Sequence, residues 1–453
     1  MSRSNPSSGS STTCEAKTDV EWWAILLILF GGFIGLLLTG LPVAFAFFLI
    51  NIAGACFFMG GTEGVKQLIL NMYSSLANFT LTPIPLFIFM GEVLFRCGIA
   101  RDVLNTFDKF FGRIPGRLGI LAVAASTFFS GLTGSAISNT ALLGSSLMPE
   151  MRQRGYGKPL MIGPIIGTGG LAMMIPPSAL AVVLGSVAQI SISGILIGGI
   201  FPGLIMAFLY AAYIIGRTFL QPSIAPDYEV PRSDPVSIVK EILLYVMPLT
   251  SVIALVLGPI YMGIATPTEA ASLGCVGALT LSVAYRKLTF SILSETLAAT
   301  LRTSSMIFLI IAGSVGYSQI ISFSGAGAGL ISAVVSLNLP DALLITIMLS
   351  MLLLLGCFMD QIAMMMVTVP LFIPIVYQAN IDPLWFGIMM LIALDIGFTS
   401  PPFGLLLFVM KGITSDDVSM MDIYSAAIPF IACNLFTLAL ILAFPQIVMV
   451  FLK

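Results

Sequence analysis

The 453-residue chain contains no histidine, and its six cysteines, at 14, 56, 97, 275, 357 and 433, show no CxxC spacing. These absences remove the usual ligands of haem and zinc, remove His-based acid–base catalysis, and leave no disulfide framework to read. Charge is scarce as well: 9% of residues are Asp, Glu, Lys or Arg against 58% hydrophobic, and the mean hydropathy is +1.06. Water-soluble domains do not tolerate that ratio, so the chain is read as an integral membrane protein embedded in a lipid bilayer, with no nucleic-acid partner expected. The formal net charge of −2 carries no message about partners, because in a bilayer the position of a charge matters more than the sum.

What the chain does have is a series of apolar runs between Trp22 and Leu452, many at or beyond the ~18 residues that cross a bilayer as a helix. Helices rather than barrel strands are expected, since only they satisfy every backbone group locally in lipid. Residues 1–21 are Ser-rich and polar and read as a disordered tail. The first apolar run is too long, and too poorly preceded by basic residues, to be a cleaved signal peptide, so it is read as the first membrane helix. The pattern predicts helices near 22–41, 42–60 and 83–98, a hairpin at 118–150, a proline-broken helix at 159–190 and a helix at 192–216. A polar linker at 217–241 follows. After it come helices at 242–262, 266–285 and 303–322, a hairpin at 340–375, a second broken helix at 384–410 and a last helix at 423–452. Amphipathic stretches at 63–80, 100–117 and 288–302 read as interfacial struts.

The halves 22–216 and 242–453 look alike. Sliding the sequence by 225 residues places Pro42 over Pro267, Gly91 over Gly316, Gly131 over Gly356, Pro149 over Pro374, and Pro176-Pro177 over Pro401-Pro402. These are the residues that dictate backbone shape, and the offset needs no gaps. If each half crosses the membrane about five times and its hairpin re-enters without crossing, the copies are inverted, the plan of secondary transporters. On that layout every Lys and Arg but Arg3, Lys17, Lys66 and Lys453 falls on one side. That side is expected to be cytoplasmic, with both termini outside.

The proline pairs explain where chemistry would sit. Pro176 and Pro401 lack an amide donor and interrupt their helices, which frees carbonyls for a cation and a helix N-terminus for an anion. The first hairpin, "FFSGLTGSAISNTALLGSSLMPEM", gathers Ser130, Thr133, Ser135, Ser138, Asn139 and Thr140 around Gly131 and Gly134, an oxygen-rich set suited to Na+. The second offers Gly356 and Asp360. Gly and Ser also serve simply to let membrane helices approach closely, but two hairpins paired with two breaks favour a site. Glu92, Glu269, Asp360 and Asp395 are carboxylates at apparent membrane depth, hence candidates for function. Asp360 and Asp395 are expected at the ion, and Glu92 and Glu269 are equally open to pairing within a rigid frame. Met364, Met365 and Met366 read as lipid-facing or packing residues.

At these positions the chain resembles a known family, the large membrane subunit (DctM type) of tripartite ATP-independent periplasmic (TRAP) transporters, within the wider ion-transporter fold. The resemblance lies in "SLMPEMRQRGYGKPL", "GGLAMMIPPS", "GIATPTEAASLG", "GCFMD", and the stretch from "IDPLWFGIMM" to "DIGFTSPPFG", and it covers nearly the whole chain after the tail. It implies an all-α, elevator-type, sodium-coupled importer of an organic acid in the bacterial or archaeal inner membrane. Two sodium ions per chain are implied, together with a small four-helix membrane subunit (DctQ type) and a periplasmic binding protein (DctP type). Carried over residue by residue, one sodium site falls at Ser130, Gly131 and Ser135 with Gly170. A second falls at Gly356, Gly397 and Ser400, with Asp360 and Asp395 beside it. Substrate is expected at Ser138, Asn139, Thr140, Pro176, Ser178 and Pro401. Gln361 stands where the family often has proline, and Asp395 and Ser400 replace its commoner Glu and Thr. The stretch before Trp22 has no room for four more helices, so the small subunit is expected to be a separate chain. A stand-alone sodium/dicarboxylate symporter or antiporter, whose hairpins carry similar Ser-Asn-Thr motifs, remains the rival. An intramembrane enzyme lacks the triad it would need, and paired broken helices favour alternating access over a pore.

Overall fold

A computed structural model of the chain describes residues 21–110, 116–133, 136–226, 235–356 and 358–451. All regular structure among them is helical. Six helices there are long and apolar enough to cross a membrane, and the pair Lys158–Met174 and Ala179–Ala188, bent by 44°, makes a seventh candidate span. Trp22–Leu38 and Val43–Phe58 are apolar but shorter.

The 225-residue offset recurs in the elements themselves. The helix Ala136–Gln153 of the first hairpin is matched at both ends by Gln361–Gln378 of the second. Their outer arms are Arg117–Thr133 and Asp341–Gly356. The first broken helix runs Lys158–Gly169, Leu171–Met174 and Ala179–Ala188. The second runs Pro383–Thr399 and Leu405–Ile413. Both interruptions fall on the proline pairs, and the Pro176–Pro177 and Pro401–Pro402 bonds are both cis. The halves interlock reciprocally: Val43–Phe58 packs on Phe290–Phe323, while Pro83–Arg96 packs on Pro267–Ala284.

Three boundaries differ from the sequence expectation. The strut at 288–302 and the span at 303–322 are one 34-residue helix, Phe290–Phe323. No proline interrupts that stretch and its glycines, Gly313 and Gly316, sit well inside it, so nothing ends the helix between them. In the first half, Asn78, Pro83 and Pro85 divide the corresponding stretch into Thr62–Leu76, a 3-10 turn and Pro83–Arg96. The long helix starts at Thr289, whose hydroxyl accepts from Ile292 N (3.3 Å). Thr289→Ala is therefore expected to lower stability by about 1 kcal/mol and Thr289→Asn to retain it, read as thermal unfolding midpoints of the purified protein. Secondly, the final helix ends at Ala443, because Pro445 has no N–H to continue it and disfavours helical backbone at Phe444. Thirdly, the linker at 217–241 is helical at both ends. Ile200–Leu220 runs into it, and Val236–Tyr261 is continuous out of it. Residues 227–234 of the linker and 1–20 of the tail lie outside the described residues.

The surface ion pairs fall into two sets. Lys158 meets Asp422 (2.8 Å) and Arg152 meets Asp417 (3.2 Å), joining the first hairpin and broken helix to the start of Met420–Ala443. Ser415 donates to Asp417 and, with Arg152 nearby, holds that carboxyl below the usual carboxylate range. Separately, Lys287 meets Asp102, Lys109 meets Glu241 (2.5 Å) and Arg96 meets Glu295 (3.3 Å), all within the surrounding frame. Among the ion pairs of the described residues, Arg117–Asp108 (2.8 Å) links the two sets, at the strut Ile99–Phe110 that leads into the first hairpin.

Candidate functional site between the two hairpins

The inner helix Gln361–Gln378 of the second hairpin is largely buried, and Ala136–Gln153 of the first buries about one face. Met364, Met365 and Met366 are completely enclosed, so of the two sequence readings packing is the one that applies. The hairpin ends converge on a cavity of about 440 Å3. Ala136, Ile137 and Ser138 contribute from the first, and Asp360, Gln361 and Ile362 from the second. The resumed halves of the broken helices add Ala179, Leu180, Val183 and Leu405, and the frame adds Ile88, Glu92, Thr303, Met306 and Ile307.

Behind this cavity lie two polar knots. In the first, Asn139 Nδ2 donates to Ser126 Oγ (2.5 Å), which donates to the Thr168 carbonyl (2.7 Å) just before the first break. Asn139 Oδ1 and Thr140 Oγ1 are buried and unpartnered, and a Cβ on Gly169 would stand 2.7 Å from Thr140 Oγ1. Pro176 and Pro177 have no N–H to offer the preceding turn, and the helix is interrupted there, between Met174 and Ala179.

The second knot centres on Asp395, fully enclosed. Asn434 Nδ2 donates to Asp395 Oδ2 (2.9 Å), and Tyr210 Oη donates to Asn434 Oδ1. Asp395 Oδ1 has no partner. Its carboxylate lies against Gly170, where any Cβ would collide with it. Gly170 and Asp395 are the same position in the two halves, so the chain's repeat touches itself here. Nearby, Gly356 and Gly397 are in backbone contact that leaves no room for a side chain on Gly356.

The structure distributes the expected residues as follows. Ser138 lines the cavity, while Asn139 and Thr140 face the knot behind it. Ser178 Oγ accepts from Ala181 N (3.3 Å) and caps the resumed helix Ala179–Ala188. Pro176 faces away from the polar cavity, toward a separate apolar cleft of about 570 Å3 with Phe107, Val123 and Phe208, so its contribution is to the break rather than to the cavity wall. Pro401 stands in the turn of the second break. Asp360 lines the cavity and caps Gln361–Gln378 by accepting from Ala363 N (2.7 Å). Ser400 Oγ donates to the Ile396 carbonyl (2.6 Å) at the second break. Ser135 lies outside the described residues, as do the side chain of Ser130 and the surroundings of Gly131.

Glu92 lines the cavity and accepts from Arg96 Nε (2.8 Å). Glu269 is exposed and closes a capping box with Thr266 at the start of Pro267–Ala284, which gives it the framework role that the sequence left open. Ser126, Thr168, Tyr210 and Asn434 were missed from the sequence. A lone Asn in the apolar run "FIACNLFTLAL" was the available signal for the last of these. Among the described residues no three Cys, Asp or Glu side chains converge, so the oxygens offered to a cation are amide, hydroxyl and carbonyl groups and single carboxylates.

Residues 30–447 match the family described as the tripartite ATP-independent periplasmic transporter, DctM component. The chain is 29% identical over 418 residues to the sialic acid TRAP transporter large permease protein SiaM of Vibrio cholerae, spanning 92% of this chain and 95% of that one. It is 28% identical over 439 residues to the C4-dicarboxylate TRAP transporter large permease protein DctM of Rhodobacter capsulatus, spanning 93% and 97%. The solved structure of the YdaH transporter of Alcanivorax borkumensis superimposes with a TM-score of 0.61 at 13% identity, over 84% of this chain and 88% of that one, a likeness of fold. A multi-pass, all-helical membrane protein with paired hairpins and paired broken helices, the chain belongs to the DctM component family of tripartite ATP-independent periplasmic transporters.

Proposed function

We propose that this chain is the translocating subunit of a sodium-coupled importer that takes up an organic acid anion by an elevator movement. The observation that carries the reading is the cavity between the two hairpins, backed by Asn139, Thr140 and Asp395, each with one buried oxygen that lacks a partner. Uncompensated buried oxygens are costly, and a weakly hydrated cation would satisfy them. Asn139 Oδ1, Thr140 Oγ1 and the backbone around Gly169 and Gly170 would hold one sodium. Gly356, Gly397 and Ser400, with Asp360 and Asp395 close by, would hold a second. Bound sodium supplies positive charge beside an anionic substrate, and its electrochemical gradient supplies the driving force.

The chain's own residues do the rest. The hairpin ends at Ser138 and Gln361 face the substrate space, and the helices Ala179–Ala188 and Leu405–Ile413 begin at its wall, where the positive ends of their dipoles would favour an anion. The ion pairs support a division between the first hairpin with its broken helix, tied to the start of Met420–Ala443, and the frame, the two being linked through Arg117–Asp108. Two domains, 22–216 and 242–453, would then be inverted copies joined on the cytoplasmic side of the inner membrane, with both termini outside. The relatives are named for sialic acid and C4-dicarboxylate transport, both carboxylates, and their family implies a small four-helix membrane subunit and a periplasmic binding protein as partners.

The test is uptake of organic acids into proteoliposomes holding this chain and its small membrane partner, with and without an inward sodium gradient and the binding protein. Uptake that needs all of them is the expected result. Uptake driven by sodium but indifferent to the binding protein would instead identify a stand-alone symporter. In the same assay Asn139→Ala and Ser400→Ala should each raise the sodium half-saturation about tenfold, the cost of one lost ligand to a charge. Unchanged half-saturation in both would sink the assignment of these sites.

A further inference from the structure

We propose that Gln361 is a specificity-determining residue of the inter-hairpin cavity, its amide nitrogen donating to a carboxylate oxygen of the substrate. The inference rests on the transport reading and adds to it the group that recognises the acid. Gln361 lines the cavity, is 6% exposed, and its Nε2 has no hydrogen-bond partner. A donor buried in that way is paid back only when an acceptor arrives. The lining also contains the carboxylates Glu92 and Asp360 and no Lys or Arg, so among the lining side chains neutral donors, beside the proposed sodium, are what can meet an anion.

Gln361 opens the 18-residue helix Gln361–Gln378, where the Asp360 carboxylate accepts from Ala363 N and the Asp360 carbonyl from Met364 N. The other amides of that first turn have no intrahelical acceptor, and the positive end of the helix lies beside the glutamine. The hydroxyls of Ser138 and Thr303 on the same walls can donate or accept, whereas an amide nitrogen only donates. Gln361 Nε2 is thus a buried, unpartnered group at this wall that commits whatever meets it to be an acceptor.

The experiment titrates sialic acid, succinate and gluconate into the purified full-length protein at saturating sodium. Dissociation constants are then compared for wild type, Gln361→Met, Gln361→Glu and Gln361→Asn. For the carboxylate that wild type binds, Gln361→Met should weaken binding about tenfold, Gln361→Glu should abolish it, and Gln361→Asn should recover part of the loss. Sodium affinity and the unfolding midpoint of Gln361→Met should stay at wild-type values. Equal carboxylate affinity in wild type and Gln361→Met overturns the assignment. So does a parallel fall in carboxylate affinity, sodium affinity and unfolding midpoint, which would mean that Gln361 only holds the hairpin in shape. If wild type itself binds none of the three probes and moves none of them in the uptake assay, the transport reading fails first and the assignment with it.

Discussion

Gly170→Val is expected to abolish uptake and to lower stability by about 3 kcal/mol or more, because the new Cβ and its methyls would occupy the space of the Asp395 carboxylate. Nothing flexible can yield: Asp395 is enclosed and held by Asn434, which is itself held by Tyr210. Gly412→Ala provides the contrast. No atom lies within 4 Å of a Cβ there, and the site is helical, so the substitution should leave uptake intact and stability unchanged or slightly raised. Thermal unfolding followed by tryptophan fluorescence, with uptake measured on the same preparations, decides the matter. A Gly170→Val protein that unfolds at the wild-type temperature would mean the two repeats do not meet as described.

The second large effect separates stability from function. Asp395→Asn preserves shape and the hydrogen bond from Asn434 while removing an ionisable group from a fully enclosed position. Burying an uncompensated carboxylate is expensive, so the amide should leave the unfolding midpoint unchanged or raise it. The same change should raise the sodium half-saturation at least about 100-fold, since a unit charge near a bound cation is worth several kcal/mol in such surroundings. Asp395→Asn with normal sodium dependence would remove Asp395 from the ion site and leave it a structural residue.

The positions of both breaks and both hairpins were legible because glycine and proline act locally: a missing N–H or a missing Cβ shapes the backbone wherever it stands. The gap-free offset therefore carried from sequence to structure, down to the matched ends of Ala136–Gln153 and Gln361–Gln378. Less legible was anything decided by distant packing. Asp395 could be marked as a costly charge, but its partners Asn434 and Tyr210 lie on other helices, and no local pattern joins them. Glu269 looked buried in a hydrophobic stretch, yet the Thr266 cap places it at an exposed helix start. Pro176 was correctly located as a break, whereas the side it presents to its neighbours depends on a bend that the sequence does not encode nearby. The fusion of strut and span into Phe290–Phe323 was readable in principle, from the lack of any breaker, but amphipathic composition argued for a separate element.

The contact between Gly170 and Asp395 has a historical side. A residue at the centre of a duplicated fold faces its own counterpart, and here the space between the copies holds one side chain. An ancestor assembled from two identical halves could not have carried the acid, since two carboxylates would have claimed the same volume. The charge could arise only after the halves were free to diverge, in one copy and at the expense of the other. Shape alone thus keeps the two otherwise matched halves unequal at this position: one copy can hold the acid only while the other holds glycine.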